Sequence, residues 1–311
     1  MNIALIGRTE IMYDLIDILL DKGYHIVLIS TSKAAPEYLR TERDFELKAN
    51  EIGARFLYAP KISTAENIAF IKQCGHIDIA ISVNHTSIVQ QEVIDLFPLG
   101  ILNIHGGDLP RYRGNACQAW AIINGENRIG LCVHKMESGS LDSGDIIVRE
   151  YMNININTKV TECWNWIVER TPFMFLEALR LLEHDKDFVL QKQSKNIQDV
   201  LRCYPRNPSD GRICWSENRE TILRLINASN KPYAGAFCFF KNMKLIIWDA
   251  ELYNDDENYL AIPGQVSFWD MQEGFIVVIT GCGKLKINEI EFNNQICKPA
   301  EILHSIRNRL E

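Results

Sequence analysis

Met1-Asn2-Ile3-Ala4-Leu5-Ile6-Gly7-Arg8-Thr9-Glu10 opens the chain, and His25-Ile26-Val27-Leu28-Ile29 follows after one helical stretch. The run from Ile3 to Ile6 is continuously apolar and ends at a glycine, as a fully buried strand closed by a turn does. From Glu10 onward apolar residues recur at helical spacing, and His25 to Ile29 is again a short β-type run. The alternation continues outward. A charged helix near Arg43 to Ile52 leads to Arg55 to Tyr58, then Ala65 to Gln73, Ile77 to Val83, Val89 to Leu96 and Ile101 to Ile104. This rhythm predicts an α/β fold, a Rossmann-like and mostly parallel sheet with helices on both faces. Ligands of such sheets sit at the carboxyl ends of the strands.

After Arg113 the pattern gives a helix near Ala116 to Ile123, β-rich stretches over Gly130 to Met136 and Asp145 to Tyr151, and a long helix from about Val160 to Leu182. His184 to Pro205 is polar and weakly periodic, and Asn207-Pro208-Ser209-Asp210-Gly211 then punctuates the chain. A boundary is expected there, with one domain and its trailing linker over residues 1–205 and a second over residues 206–311. In the second, a helix near Arg219 to Ala228 precedes Ala234 to Phe240, Lys244 to Leu252, Gly264 to Trp269, Gly274 to Thr280 and Lys284 to Phe292. That spacing fits a small, closed or half-closed, OB-like β barrel.

The chain has 311 residues, 47% hydrophobic and 23% charged, an ordinary globular composition long enough for two domains. A formal net charge of -7 leaves no excess of basic residues for gripping a polyanion. Nine cysteines are scattered without a Cys-x-x-Cys pair, so neither a metal knuckle nor a disulfide framework is expected. The opening residues lack a basic flank, and acidic residues interrupt their apolar run. Neither a signal peptide nor a membrane span is expected, and reduced cytoplasm is the default.

The step Ala4-Leu5-Ile6-Gly7-Arg8-Thr9 has one glycine where a dinucleotide site would place three, so it reads as a plain βα turn, with an Arg8 contact to substrate phosphate as the alternative. More informative is Gly100-Ile101-Leu102-Asn103-Ile104-His105-Gly106-Gly107-Asp108-Leu109-Pro110-Arg111-Tyr112-Arg113-Gly114. A buried-type strand ends there in polar residues at alternating positions, so Asn103 and His105 project on one side of the sheet. Gly106 and Gly107 let the backbone approach a ligand, and Pro110 stiffens the loop exit. By spacing alone, a satisfied structural histidine is the favoured reading of His105. A second cluster, Leu141-Asp142-Ser143-Gly144-Asp145, sets a carboxylate in a turn before an apolar strand. Where these loops meet, Asn103, His105 and Asp142 supply an oxyanion donor, a proton acceptor and a carboxylate that raises the imidazole's basicity.

Asn103-x-His105, Leu109-Pro110-x-Tyr112-Arg113-Gly114 and Leu141-Asp142-Ser143-Gly144-Asp145 together resemble the folate-dependent formyltransferases. That family includes glycinamide ribonucleotide, methionyl-tRNA and sugar N-formyltransferases. Trp215-Ser216, Pro232-Tyr233-Ala234-Gly235-Ala236-Phe237, Gly264-Gln265-Val266 and Glu289-Ile290 look like the C-terminal barrel of its members, so the resemblance covers most of the chain. One departure is Gly107-Asp108-Leu109-Pro110, where many members have Ser-Leu-Leu-Pro.

The resemblance implies 10-formyltetrahydrofolate as co-substrate, no metal, and Asn103, His105 and Asp142 as the catalytic set. Asn103 and a protonated His105 would hold the oxyanion, and Asp142 would orient His105. The pterin is expected near Ser82, Asn84, His85, Ile88 and Ile104, beside Asp142; Arg8, Gly106, Gly107, Tyr112 and Arg113 are candidates for acceptor binding. Trp120 could join Tyr112 and Arg113, but in an apolar helix stretch it reads more readily as core.

Three acceptor readings compete. The acidic balance and the family motif favour a nucleotide-linked amino sugar, a dTDP-3-amino- or 4-amino-dideoxyhexose, formylated for surface polysaccharide (O-antigen) synthesis. Methionyl-tRNA is the alternative; residues 206–311 carry 12 Lys+Arg against 14 Asp+Glu, which argues against nucleic acid. A silent folate or nucleotide-sugar binding module is the third. No membrane partner is expected, and a homodimer through the C-terminal region is left open.

Overall fold

The computed structural model describes residues 1–35 and 38–311. The chain divides into two compact units, one of Met1–Gly114, Gly130–Tyr151 and Trp166–Arg202, the other of Asn115–Ile129, Met152–Asn165 and Cys203–Glu311.

The first unit begins with β1 (Asn2–Gly7), α1 (Glu10–Asp21), β2 (His25–Thr31), α2 (Glu42–Ile52), β3 (Arg55–Tyr58), α3 (Ala65–Gln73), β4 (Ile79–Val83), α4 (Gln91–Ile94) and β5 (Ile101–His105). Next along the chain come β6 (Arg113–Gly114), α5 (Cys117–Ile123), which belongs to the second unit, and then β7 (Arg128–Lys135), β8 (Ile146–Asn153), α6 (Val160–His184) and β9 (Arg202–Cys203). The main sheet has the order β3-β2-β1-β4-β5-β7-β8. Strands β1 to β5 are parallel, and β7 runs antiparallel to β5, so the α/β expectation holds with a reversed edge.

The local sequence accounts for these elements. In α1 the buried residues are Ile11, Met12, Leu15, Ile16 and Leu19, one apolar stripe at helical period. Helix α2 starts in a capping box between Thr41 and Asp44 and stops at Gly53, whose φ is 73°. Below the sheet, Ala4, Ile6, Leu28, Ala80 and Ile101 pack with Ile71, Val93 and Phe97 in one core cluster. At the end of β1, a Cβ on Gly7 would lie 1.9 Å from the Val83 carbonyl oxygen, so only glycine lets β1 turn beside β4.

The second unit carries α7 (Arg219–Ala228), β10 (Ala236–Phe240), β11 (Met243–Tyr253), β12 (Val266–Trp269), β13 (Ile276–Ile279), β14 (Lys284–Phe292) and β15 (Gln295–Cys297). Its sheet has the order β10-β11-β14-β13-β12, with β15 added to β14. The two outer strands are joined through the tail. Glu311 exchanges both backbone hydrogen bonds with Phe239 of β10, at 2.7 and 2.8 Å. Val266 N–H donates to the Asn308 carbonyl at 3.0 Å, and Leu310 N–H to the Gly264 carbonyl at 2.8 Å. The open edges of β10 and β12 are thereby paired, as a barrel requires. Trp215, Ile222, Ile226, Leu245, Ile247 and Ile287 are among the residues filling its interior. Among the described residues no helix is long and apolar enough to cross a membrane.

Candidate active site

The site lies in the first unit, at the ends of β4, β5 and β7. Parallel and antiparallel registers align Ser82 with Asn103 and Asn103 with His134, so these three side chains stand in one row on one face of the sheet. His105, two residues beyond Asn103, shares that face and is buried. Ile104 points to the other face.

Asp142 reaches this row from the turn before β8. Its φ of 50° is left-handed, and the Gly114 N–H donates to Oδ2 at 2.9 Å. Oδ2 lies 3.5 Å from His105 Nδ1, and Oδ1 lies 3.6 Å from His134 Nε2. His134 also accepts from Asn103 Nδ2 at 3.3 Å. Asn103, His105 and Asp142 are therefore gathered at one place, but Asn103 reaches the carboxylate through His134, which the sequence reading passed over. Its one signal was a polar residue directly after the apolar run Leu131 to Val133.

Both imidazoles are tied to backbone carbonyls: His105 Nε2 donates to Tyr112 O at 2.7 Å and His134 Nδ1 to Lys135 O at 2.9 Å. A carbonyl only accepts, so those nitrogens carry protons and the opposite nitrogens turn toward Asp142. Burial pushes the Asp142 carboxyl up, but His105, His134 and the Gly114 N–H outweigh it and hold the group well below the usual carboxylate range.

The loop is held from behind by a residue with no sequence signal. Gln193, buried in the polar stretch after α6, donates from Nε2 to Asp142 O at 2.9 Å and to Gly144 O at 2.7 Å. Its Oε1 accepts from the buried Arg113 guanidinium at 2.7 Å. The Arg113 side chain, a candidate for acceptor contact, is thus engaged inside the protein, where it also donates to Ser194 O at 3.4 Å. Tyr112 is buried as well, with a left-handed φ of 53° that accompanies its carbonyl's contact with His105. Gly106 is half-buried. At Gly107 a Cβ would lie 2.3 Å from Tyr112 O and 2.6 Å from His105 Nε2, so this glycine makes room for the imidazole.

A second polar group sits at the ends of β1 and β4. Arg8 donates to Lys33 O at 2.9 Å and Asn84 O at 3.3 Å, and its guanidinium stacks 5.2 Å from the Tyr38 ring centroid. Exposed Asn84, with φ 52°, donates to the Tyr38 hydroxyl at 2.6 Å. His85 pairs with Ser87 Oγ at 2.9 Å, and burial together with Arg8 pushes its imidazole down to about 4. Ile88 is exposed. The Ser82 hydroxyl and His85 Nδ1 are buried with no hydrogen-bond partner. Trp120 belongs to the second unit, where its indole N–H donates to Tyr204 O at 2.8 Å.

Residues 1–179 match the family model described as formyl transferase, and residues 206–307 match the formyl transferase C-terminal domain. The chain belongs to the formyl transferase family. As a formyl transferase it is a 10-formyltetrahydrofolate-dependent N-formyltransferase, as its motifs led us to expect. A methionyl-tRNA formyltransferase from Acetivibrio thermocellus is 26% identical over 94% of this chain and 93% of its own length. One from Clostridium tetani is 31% identical over 79% of this chain and 76% of its own. Among solved structures, WlaRD, a sugar 3N-formyl transferase, superposes with a TM-score of 0.68 at 18% identity, covering 95% of this chain and 98% of that one. HypX from Aquifex aeolicus in complex with tetrahydrofolic acid gives 0.63 at 18% identity over 97% of this chain, which spans 46% of that protein. These two likenesses establish the fold.

The relatives correct the expected acceptor. The amino-sugar reading, with its O-antigen role, is overturned by curated relatives named for methionyl-tRNA at 26–31% identity over most of the chain, whereas the sugar enzyme is alike in fold alone. The physical fault lies in summing charge over residues 206–311. A net charge says nothing of where cations stand, and here Lys244, Arg212 and Lys241 each lie over an aromatic ring, those of Phe237, Phe239 and Phe240.

Proposed function

We propose that this formyl transferase formylates the α-amine of methionyl-tRNA, with residues 1–205 as the catalytic domain and residues 206–311 contributing to recognition of the acceptor. The observation that carries the acceptor is the run of relatives named methionyl-tRNA formyltransferase, matched across 94% of the chain.

Asn103, His105 and Asp142 form the catalytic set in this reading. The donor, 10-formyltetrahydrofolate, supplies the formyl group, and the nitrogen that group leaves, which carries no proton in the donor, takes up the one the acceptor amine gives. Ser82, Asn84, His85 and Ile88 would hold its pterin, with Ile104 offering its strand-end backbone because its side chain turns to the other face; the buried, unpartnered Ser82 hydroxyl and His85 Nδ1 are polar atoms suited to such a heterocycle. A neutral amine forms the new C–N bond as the bond to the folate nitrogen breaks. Asn103 Nδ2 donates to the formyl oxygen as negative charge gathers there, an interaction worth about 3 kcal/mol in comparable sites. His105 Nε2 is committed to the Tyr112 carbonyl, so the amine's proton passes by way of Nδ1, where Asp142 offsets the charge. Arg8, Gly106, Gly107, Tyr112 and Arg113 shape the acceptor side, Gly107 and Arg113 by holding His105 and the Asp142 loop in place.

The test is turnover by purified protein with 10-formyltetrahydrofolate and charged methionyl-tRNA, read as N-formylmethionine after deacylation. Formylation that falls by orders of magnitude in Asn103→Ala and His105→Ala supports the whole reading. No formylation of methionyl-tRNA by the wild-type protein refutes the acceptor; near-normal turnover in either variant refutes that residue's role.

A further inference from the structure

We propose that Arg149 is a positioning residue for the reaction, holding the loop 106–112 so that the Tyr112 carbonyl keeps the His105 ring in place. It rests on the reading of His105 as a catalytic residue. The Gly107-Asp108 step, where the chain departs from the Ser-Leu-Leu-Pro of many formyl transferases, falls within this loop. Strand β7 is the bed on which the loop lies. Cys132 pairs with His105 in the antiparallel register, and Gly130 and Cys132 share the face of His134. A Cβ on Gly130 would lie 2.7 Å from Asp108 Cα, so this glycine admits Asp108. The Cys132 thiol donates to Gly107 O at 3.4 Å, and the buried Leu109 packs with Cys132 and Ile146.

Arg149, on β8, completes the hold. Its Nη2 donates to Leu109 O at 2.5 Å, while Nη1 donates to the Tyr151 hydroxyl at 3.1 Å and stands 3.9 Å from Asp108 Oδ1. The Arg149 side chain is only 12% exposed, so a guanidinium largely withdrawn from water is committed to one carbonyl of the loop, with the Asp108 carboxylate beside it to offset its charge. The far end of the loop is fixed as well: Arg113 N–H donates to Leu201 O at 2.9 Å, and its guanidinium is bound by Gln193. Between these ends lie Pro110, whose ring sets its φ, Arg111 and Tyr112. Tyr112 O, thus held, accepts from His105 Nε2 at 2.7 Å. A carbonyl has no proton to give, so Nε2 carries the hydrogen whether the imidazole is neutral or charged, and the constraint does not depend on the state of Nδ1, which faces Asp142 at 3.5 Å. Without Arg149 the Leu109 carbonyl loses a charge-assisted bond inside the protein, and a loop that shifts to satisfy it draws Tyr112 O away from the imidazole.

The experiment compares the full chain with Arg149→Met, Arg149→Lys, His105→Ala and His105→Ala/Arg149→Met, reading kcat and donor KM with methionyl-tRNA and, by NMR, the solvent exchange of the His105 Nε2 hydrogen. A small misplacement costs up to roughly a hundredfold, so Arg149→Met is expected to lower kcat about tenfold or more with KM within about twofold. Loss of one charge-assisted bond should speed the ring exchange roughly tenfold. Arg149→Lys, whose ammonium can still donate to the Leu109 carbonyl, is expected to recover most of both losses. In the His105→Ala background Arg149→Met should have no further effect. Unchanged kcat or unchanged ring exchange in a folded Arg149→Met, or multiplicative effects in the double variant, overturn the proposal. Near-normal turnover in His105→Ala would instead refute the reading of His105 beneath it. The exchange measurement needs no acceptor, so it decides even if the acceptor is another amine. Should Arg149→Met not fold, exchange in the wild-type protein decides: the His105 Nε2 hydrogen is expected to be protected no more than the Arg149 Nη hydrogens, and greater protection at His105 overturns the proposal.

Discussion

Replacing Gln193 by Leu should loosen the Asp142 loop by an amount that can be worked from the structure. Leucine has about the same volume and fills the buried site, so the change is mainly one of hydrogen bonding. Two donations are lost, to Asp142 O at 2.9 Å and Gly144 O at 2.7 Å, and so is the acceptor for Arg113 at 2.7 Å. A neutral bond contributes about 1 kcal/mol net and one to a charged group about 1.5–3 kcal/mol, which gives a loss of about 3–5 kcal/mol if the three groups stay buried. Arg113 retains the longer 3.4 Å bond to Ser194 O, which places the loss toward the lower end. Urea unfolding at neutral pH measures it through the midpoint and slope. Turnover should fall with it, because Asp142 is aimed by the same turn. Gln193→Glu is the companion: it keeps an acceptor for Arg113 but loses both donations, so it should recover only the Arg113 share. A loss under about 1 kcal/mol in Gln193→Leu, with wild-type turnover, would refute the clamp, since it would lie below one ordinary buried bond.

Gly107→Ala should abolish most turnover while leaving the bulk of the fold intact, because its Cβ would need the space of Tyr112 O and His105 Nε2, 2.3 and 2.6 Å away; wild-type kcat in a folded variant would contradict this. For His85 the folded imidazole is pushed down to about 4 by burial and Arg8, against about 6.5 in an unfolded chain. The unfolded state therefore binds the extra proton between these values, and stability present above pH ~6.5 is lost as pH falls toward 4. His85→Gln should flatten that part of the pH–stability curve, and an identical slope in the two proteins would rule it out. Asp142 acts lower on the scale: its depressed pKa contributes stability above the unfolded value near pH 4, lost as pH falls through the folded value. Asp142→Asn should remove acid lability below about pH 4 and depress turnover at neutral pH; unchanged acid unfolding would refute the ion-pair account.

The sequence alone determined what depends on neighbours along the chain. The apolar run Ile3 to Ile6 became β1, the stripe from Ile11 to Leu19 became α1, and Ala65 to Gln73, Arg219 to Ala228 and Lys284 to Phe292 are elements with the expected limits. Period and punctuation carry that information because backbone hydrogen bonding in helices, and side-chain alternation in strands, are local. Val89 to Leu96 was less legible, since only Gln91–Ile94 is helical before Pro98 and Gly100 turn the chain into β5. The Asn103, His105 and Asp142 motif was legible too, because a strand places two polar side chains on one face within three residues. Tertiary structure decided what those residues meet. His134 and Gln193 lie 31 and 51 residues from the groups they hold, Asn103 and Asp142, and nothing in the spacing marks them as partners. The tail from Asn308 to Glu311 joins β10 to the start of β12 through bonds that no alternation announces. Charge followed the same division: its sum over residues 206–311 was readable in the sequence, but its placement over Phe237 and Phe239 came only with the fold, because a field depends on where charges stand and not on how many there are.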